Sequence, residues 1–315
     1  MISVAAAPPS FQDSLAALAR GEQADLSHLL PSYELPVSLP GTKTTVRTHF
    51  VAVDANGEPA IDMLADVMAF AAMEFCVPRT RLVQAAKSFA DTGSPSQFAR
   101  LEKQARELFV DADGTGEGGE LLLFLLMERV LKLPQLLAKM SLKTNSNVHV
   151  HGSDGVHARL GSDGVLELSW GESKLYKSNS DAIADCFGSI APFLGAVDDA
   201  RRRDLLLVRD NLNVDDEALA AHILQYFDET NPKVLDVRWN GACLIGFDYA
   251  TYPDLKKMAD DESQQIAKAV ERWHKSVSGR LTTHSLVDVA IDVFCIPFPS
   301  VDALRKSVRK SLGLL

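Results

Sequence analysis

The sequence is poor in several features that would assign it quickly. Its four cysteines, Cys76, Cys186, Cys243 and Cys295, stand far apart in apolar surroundings and form no CxxC pair. That spacing argues against structural zinc and a disulfide framework, and predicts buried thiols in a reducing compartment. No stretch reaches the ~18 to 20 uncharged apolar residues of a membrane-spanning helix. The opening "MISVAAAPPSFQDS" has neither the basic nor the apolar region of a signal peptide, so the expectation is a cytoplasmic protein without a membrane partner. Positive charge is scarce: 32 Lys and Arg face 42 Asp and Glu, for a net charge of −10. A free-standing nucleic-acid binder needs a positive surface, so nucleic-acid chemistry here would be local, metal-assisted or delivered by a partner. "GTGEGG" (114–119) lacks the Gly-Lys-Ser/Thr ending of a phosphate loop. There is no Gly-x-Ser-x-Gly elbow, no cysteine with a nearby histidine, no internal repeat and no low-complexity tract.

What is present is an ordinary globular composition, 46% hydrophobic and 23% charged over 315 residues, enough for one large domain or two modest ones. Residues 1–60 are broken by prolines, with one strand-like alternation at "TTVRTHFVAVD" (44–54). Helical spacing follows in "IDMLADVMAFAAMEFCV" and "FARLEKQARELFV", separated by "DTGSPS". Residues 1–112 thus form an irregular and helical region, and 113–315 a second unit. "GGELLLFLLMERVLKL" predicts a buried helix stopped by Pro134, and "PQLLAKMSLK" a second short one starting at that proline. Beyond it the pattern gives a helix at 180–197 capped by Ser180 or Asp181, a helix near 215–228 and a strand pair near 233–249. A helix near 259–277, a strand at 285–296 and a final helix "SVDALRKSVRKSLG" complete the chain.

The informative stretch is "HGSDGVHARLGSDGVLELSWGESKLY" (151–176). Side chains alternate along a strand, so Leu166, Leu168, Trp170, Glu172, Lys174 and Tyr176 share one face, while Asp154 shares parity with Val156, Ala158 and Leu160. Matching the apolar faces sets the register: with "GSDGV" as the loop, Leu160 faces Leu166, Val156 faces Trp170 and Asp154 faces Glu172. A three-residue loop would set Asp154 diagonal to Glu172 instead. Like charges across a sheet repel, and a buried unpaired carboxylate costs several kcal/mol. A divalent cation removes the conflict, Lys174 adds positive charge, and hard carboxylate oxygens suit Mg²⁺ or Mn²⁺. Gly171 beside Glu172 would let a substrate backbone approach. The plain alternative is a salt-bridged strand end, since a D…ExK triplet occurs by chance in many chains.

Asp154 with "ESK" resembles the PD-(D/E)xK nuclease superfamily, and "GEGGELLLFLLMERVLKLPQLLAKMSLKT", "GSDGVHARL" and "WGESKLY" together resemble the HamA family of nuclease subunits of the Hachiman anti-phage system. The resemblance covers about residues 115–195 closely and most of the chain loosely. It implies an α/β (α+β) fold with a restriction-endonuclease-like core, a mixed central sheet flanked by helices, joined to the helical N-terminal region. It implies Mg²⁺- or Mn²⁺-dependent DNA cleavage in which Asp154 and Glu172 hold the metal and Lys174 orients the attacking water and offsets phosphate charge. A helix glutamate completes such a site. Glu117 and Glu120 both lie in a first turn where the helix dipole favours a carboxylate. Glu120 is preferred, because 120, 124, 127 and 131 make one core-facing stripe. The superfamily's proline before the aspartate is absent, with Ser153 in its place. The resemblance also implies a helicase partner, HamB-like, that supplies DNA binding and restrains the nuclease. Docking is expected through the N-terminal helical region or the C-terminal helix ending "SLGLL", whose apolar tail would otherwise be exposed.

Lys139 and Lys143, one turn apart, would either grip a DNA backbone or form a solvated face. "ARRRD" (200–204) and "LRKSVRK" (304–310) are the densest basic patches. His149, His151 and His157 offer an imidazole metal site as a rival, although His157 has the opposite parity to Asp154. A non-catalytic regulatory or scaffolding subunit and a hydrolase of another phosphoester remain the competing functions.

Overall fold

The computed structural model describes residues 10–21, 24–109, 116–143, 152–195, 199–250 and 252–315. The helices are α1 (Phe11–Ala16), α2 (Ala24–Ser27), α3 (Ile61–Cys76), α4 (Arg79–Thr92), α5 (Ser96–Glu107), α6 (Glu117–Leu125), α7 (Asn179–Leu194), α8 (Asp199–Asp210), α9 (Glu217–Leu224), α10 (Asp260–Thr283) and α11 (Val301–Ser311). The strands are β1 (Val37–Ser38), β2 (Thr45–Thr48), β3 (Gly155–Leu160), β4 (Leu166–Tyr176), β5 (Val237–Asp248) and β6 (Ile291–Phe298).

These strands form one mixed sheet in the order β1-β2-β6-β5-β4-β3, parallel from β2 through β4 and antiparallel at both edges. It draws strands from both sides of residue 112, because β2 of the proline-rich lead-in pairs along β6. One face packs Leu168, Trp170, Cys243, Ile245 and Phe247 against α7 and α10. The other packs Leu175, Leu244, Phe294 and Ile296 against α3, α6 and α11. A central parallel sheet covered on both faces is the arrangement in which strands read as continuous apolar runs. All four cysteines are free and buried.

Several local expectations change. The strand pair near 233–249 is a single strand, β5, preceded by a 3₁₀ turn at Pro232–Leu235. "WNGACLIG" resembles a hairpin turn, but Gly241 is where Leu194 approaches, with a Cβ there 2.8 Å from Leu194 Cδ1. Residues 135–137 are extended, not helical: the Leu136 N–H donates to the Val156 carbonyl at 2.9 Å and Gln135 bridges His157, so the segment covers the β3 edge. α7 is capped by Ser178, whose hydroxyl accepts from the Asp181 N–H. α11 lies on α3 with Leu304, Val308 and Leu312 buried, so of the apolar C-terminal tail Leu312 is covered while Leu315 stays exposed. No helix among the described residues is long and apolar enough to cross a membrane.

Candidate active site

The β3–β4 hairpin is built by its turn. The Gly161 N–H donates to the Val165 carbonyl at 2.9 Å, Gly164 adopts φ +80°, and Arg238 ties Asp163 at 2.6 Å. The register is Leu160 with Leu166, Ala158 with Leu168, Val156 with Trp170 and Gly155 with Gly171. β4 runs five residues further, to Tyr176, still paired with β5 on its inner side. Glu172 through Tyr176 therefore lie on a strand whose outer edge β3 has left.

Asp154 stands where β3 stops. Its N–H donates to the Gly171 carbonyl at 2.9 Å, and its Oδ2 accepts from the Ser173 N–H and hydroxyl at 2.6 and 2.7 Å. The carboxylate thus takes over an edge donor that a longer β3 would have paired. Glu172 is buried, and Lys174 Nζ rests 2.5 Å from its Oε1. Burial, then the Asp154 charge, push the Glu172 carboxyl up to about 7 despite Lys174. Burial alone would lower the Lys174 ammonium, but Glu172 and Asp154 more than offset it and hold it above its ordinary value.

Glu120 enters from α6, which lies on the other face of β4. The two elements meet closely because Gly119 leaves only 3.0 Å between its Cβ position and Ser173 Oγ, and Gly171 leaves 3.0 Å to Leu123. The space at Gly171 is thus taken by α6 and is not open to a substrate. Glu120 is of intermediate exposure, and burial followed by Asp154 repulsion raises its carboxyl to about 8. Asp154 is the common neighbour: its charge acts on Glu120, Glu172 and Lys174 alike.

Neither Lys139 nor Lys143 belongs to a solvated face. The buried Lys139 Nζ donates to the Ser153 carbonyl at 2.5 Å, and its charge reaches both Glu120 and Glu172. Lys143 is buried in an ion pair with Glu117 and donates to the Leu108 carbonyl at 3.3 Å, and the charges of both reach Glu120. His157 bonds the Leu133 carbonyl at 2.8 Å on the opposite side of the hairpin, and burial pushes it down to about 4. His149 and His151 lie outside the described residues. In each basic patch one arginine serves the fold, since Arg201 lies over the Trp239 ring and Arg305 donates to the Leu175 carbonyl. Two residues of the site carry no sequence signal: Ser173, and Asp204, which accepts from Ser153 next to Asp154.

The HamA family model matches residues 28–312, nearly the whole chain. The chain belongs to the HamA family. HamA is thereby placed as a component of Hachiman anti-phage defence. No curated protein matches it. In this HamA chain the hard oxygen donors of Glu120, Asp154 and Glu172, two of them pushed up by burial and mutual repulsion, suit a divalent cation. Among the described residues no three His, Cys, Asp or Glu side chains are already gathered at ligand spacing. Lys174 lies against Glu172 and Ser173 holds Asp154, so these carboxylates are met by an ammonium and by hydrogen-bond donors.

Proposed function

We propose that this HamA chain is a metal-dependent DNA endonuclease of the PD-(D/E)xK type, the effector of a defence complex with a HamB-like helicase. The observation that carries the reading is the placing of Asp154, where β3 stops, beside the Glu172–Lys174 pair on β4, with Glu120 near enough for the Asp154 charge to reach it and with Glu120 and Glu172 raised to about 8 and 7. Raised carboxyls with a specific charged neighbour are what functional sites produce. Glu120, Asp154 and Glu172 would hold Mg²⁺ or Mn²⁺, which supplies Lewis-acid stabilisation of the phosphate and lowers the pKa of a water. Lys174, kept charged by Glu172, is the group that faces charge building on a non-bridging phosphate oxygen.

The net charge of −10 supports the partnered arrangement, since the chain alone makes few phosphate contacts. Lys174 seated on Glu172 also fits the rival reading of a salt-bridged strand end in a scaffolding subunit. Purified protein, with and without a HamB-like helicase, incubated with DNA and Mg²⁺ or Mn²⁺ separates the two. Cleavage that disappears in Glu172→Ala supports the nuclease, and no cleavage under any of these conditions favours the scaffold. Tight DNA binding and fast cutting by the isolated chain at physiological salt would overturn the dependence on a partner.

A further inference from the structure

Asp154 lies one residue before β3, where a single backbone bond, its N–H to the Gly171 carbonyl, ties it to β4. The residue before it is held unusually well. Ser153 is buried, and its N–H and hydroxyl both donate to Asp204 Oδ2, at 3.2 and 2.7 Å. Its carbonyl accepts from Lys139. On the other side Gly152 adopts φ +124°, and a Cβ there would sit 2.5 Å from Asp204 Oδ1. Only a glycine leaves room for that carboxylate at that φ. Asp204 itself is buried on α8, 51 residues along the chain from Ser153. Burying a carboxylate against an uncharged loop is costly, and it is offset here by two hydrogen bonds to one residue.

Where the superfamily carries a proline, which pre-sets the backbone through its ring, this chain carries a serine fixed from both sides. We infer that Asp204 is a positioning residue: it holds Ser153 so that the Asp154 carboxylate is presented to the metal beside Glu172. This rests on the nuclease reading of the site. The clamp matters most once Asp154 turns toward a cation, because its side chain then gives up the Ser173 hydrogen bonds that now restrain it. Outer partners of metal ligands typically change metal affinity by roughly 10–100-fold when removed.

The test measures Mn²⁺ binding to the full chain by the loss of free-ion electron paramagnetic resonance signal, with thermal melts of each variant. Asp154→Ala should abolish Asp154-dependent binding. Asp204→Ala should weaken Mn²⁺ by about tenfold or more, whereas Asp204→Asn, whose amide oxygen can accept both Ser153 bonds, should stay within about threefold. In cleavage assays Asp204→Ala should raise the Mn²⁺ needed for half-maximal rate while the rate at saturating Mn²⁺ stays near wild type. Ser153→Ala, which removes only the hydroxyl, should weaken Mn²⁺ by several-fold and covers the case in which Asp204→Ala fails to fold. Wild-type affinity in a folded Asp204→Ala protein, or in Ser153→Ala, overturns the inference. So does an Asn variant as weak as the Ala variant, since the negative charge would then act directly. If the wild type binds no Mn²⁺ through Asp154, the nuclease reading itself falls, and that result is distinct from wild-type binding that ignores Asp204.

Discussion

The start of α6 and the turn that follows it carry two glutamates with opposite fates. Glu128, in the π-helical turn Leu126–Val130 after α6, accepts from the Arg20 guanidinium at 2.8 and 3.2 Å, from the Arg20 N–H at 2.6 Å and from the Gln135 N–H at 2.9 Å. Arg79 stands 3.7 Å away. Burial works against its ionisation, yet Arg20 prevails and the carboxyl is held below its ordinary range. His157 adds little charge at pH 7, having been pushed down to about 4 by burial. Glu120, on the first turn of α6, is raised to about 8 by burial and then by the Asp154 charge. A carboxylate whose donors and cations exceed its charge is a joint between segments, here joining the lead-in, α4 and the edge-covering segment. Around Asp154 the nearby lysines leave Glu120 and Glu172 raised, so these carboxylates are not neutralised as Glu128 is.

The largest effect expected to test this contrast is on stability. Glu128→Ala leaves Arg20 and Arg79 buried without their partner and should cost about 3–5 kcal/mol of unfolding free energy, read by urea denaturation. A loss below about 1 kcal/mol would remove the contrast, because both glutamates would then be equally dispensable to the fold. Next, Lys174→Ala should leave the melting temperature nearly unchanged yet raise the cleavage barrier by about 2–4 kcal/mol, measured by single-turnover kinetics. Wild-type turnover in that variant would make Lys174 a structural counter-ion only.

The smallest effect sharpens the comparison through pH. Glu120 and Glu172 have folded pKa values raised above 4.5, so between that pH and about 8 the folded chain holds protons that the unfolded chain has released. Stability without metal should therefore fall as pH rises across this window. Glu120→Gln should flatten the fall and gain about 1 kcal/mol at pH 8. Mg²⁺ should raise the wild-type melting temperature more at pH 8 than at pH 6, since it competes with those protons. An unchanged pH slope in Glu120→Gln would show that Glu120 is not under the strain its neighbours imply.

Much of the site was legible because it is local. The loop "GSDGV" and the alternation on either side fix the register that places Asp154 beside Glu172, and the first turn of a buried helix offers only Glu117 and Glu120. That Glu117 pairs with Lys143 while the Asp154 charge acts on Glu120 is a matter of packing and not of pattern. Asp204 was illegible for the same reason: a lone aspartate in "ARRRD" reads as part of a charged surface, and its partner is 51 residues away. β5 was misread because a strand buried on both faces has no alternation, and Asn-Gly imitates a turn. The extended run at 135–137 was misread because apolar residues after a proline suit a helix start as well as an edge cover.

The unequal lengths of β3 and β4 have a mechanical consequence. Glu172 and Lys174 are carried on a strand that remains hydrogen-bonded to β5, opposite Cys243 and Ile245, and so ride on the stiff centre of the sheet. Asp154 and Glu120 approach from a strand end and a helix start, outside the pairing of that centre. The ExK strand therefore keeps the reference position of the site, and Asp154 is held against it by the Gly171 carbonyl, by Ser173 and, through Ser153, by Asp204. In hydrogen exchange the amide of Glu172 should be among the slowest in the chain and that of Asp154 much faster, with ligand binding slowing Asp154 alone.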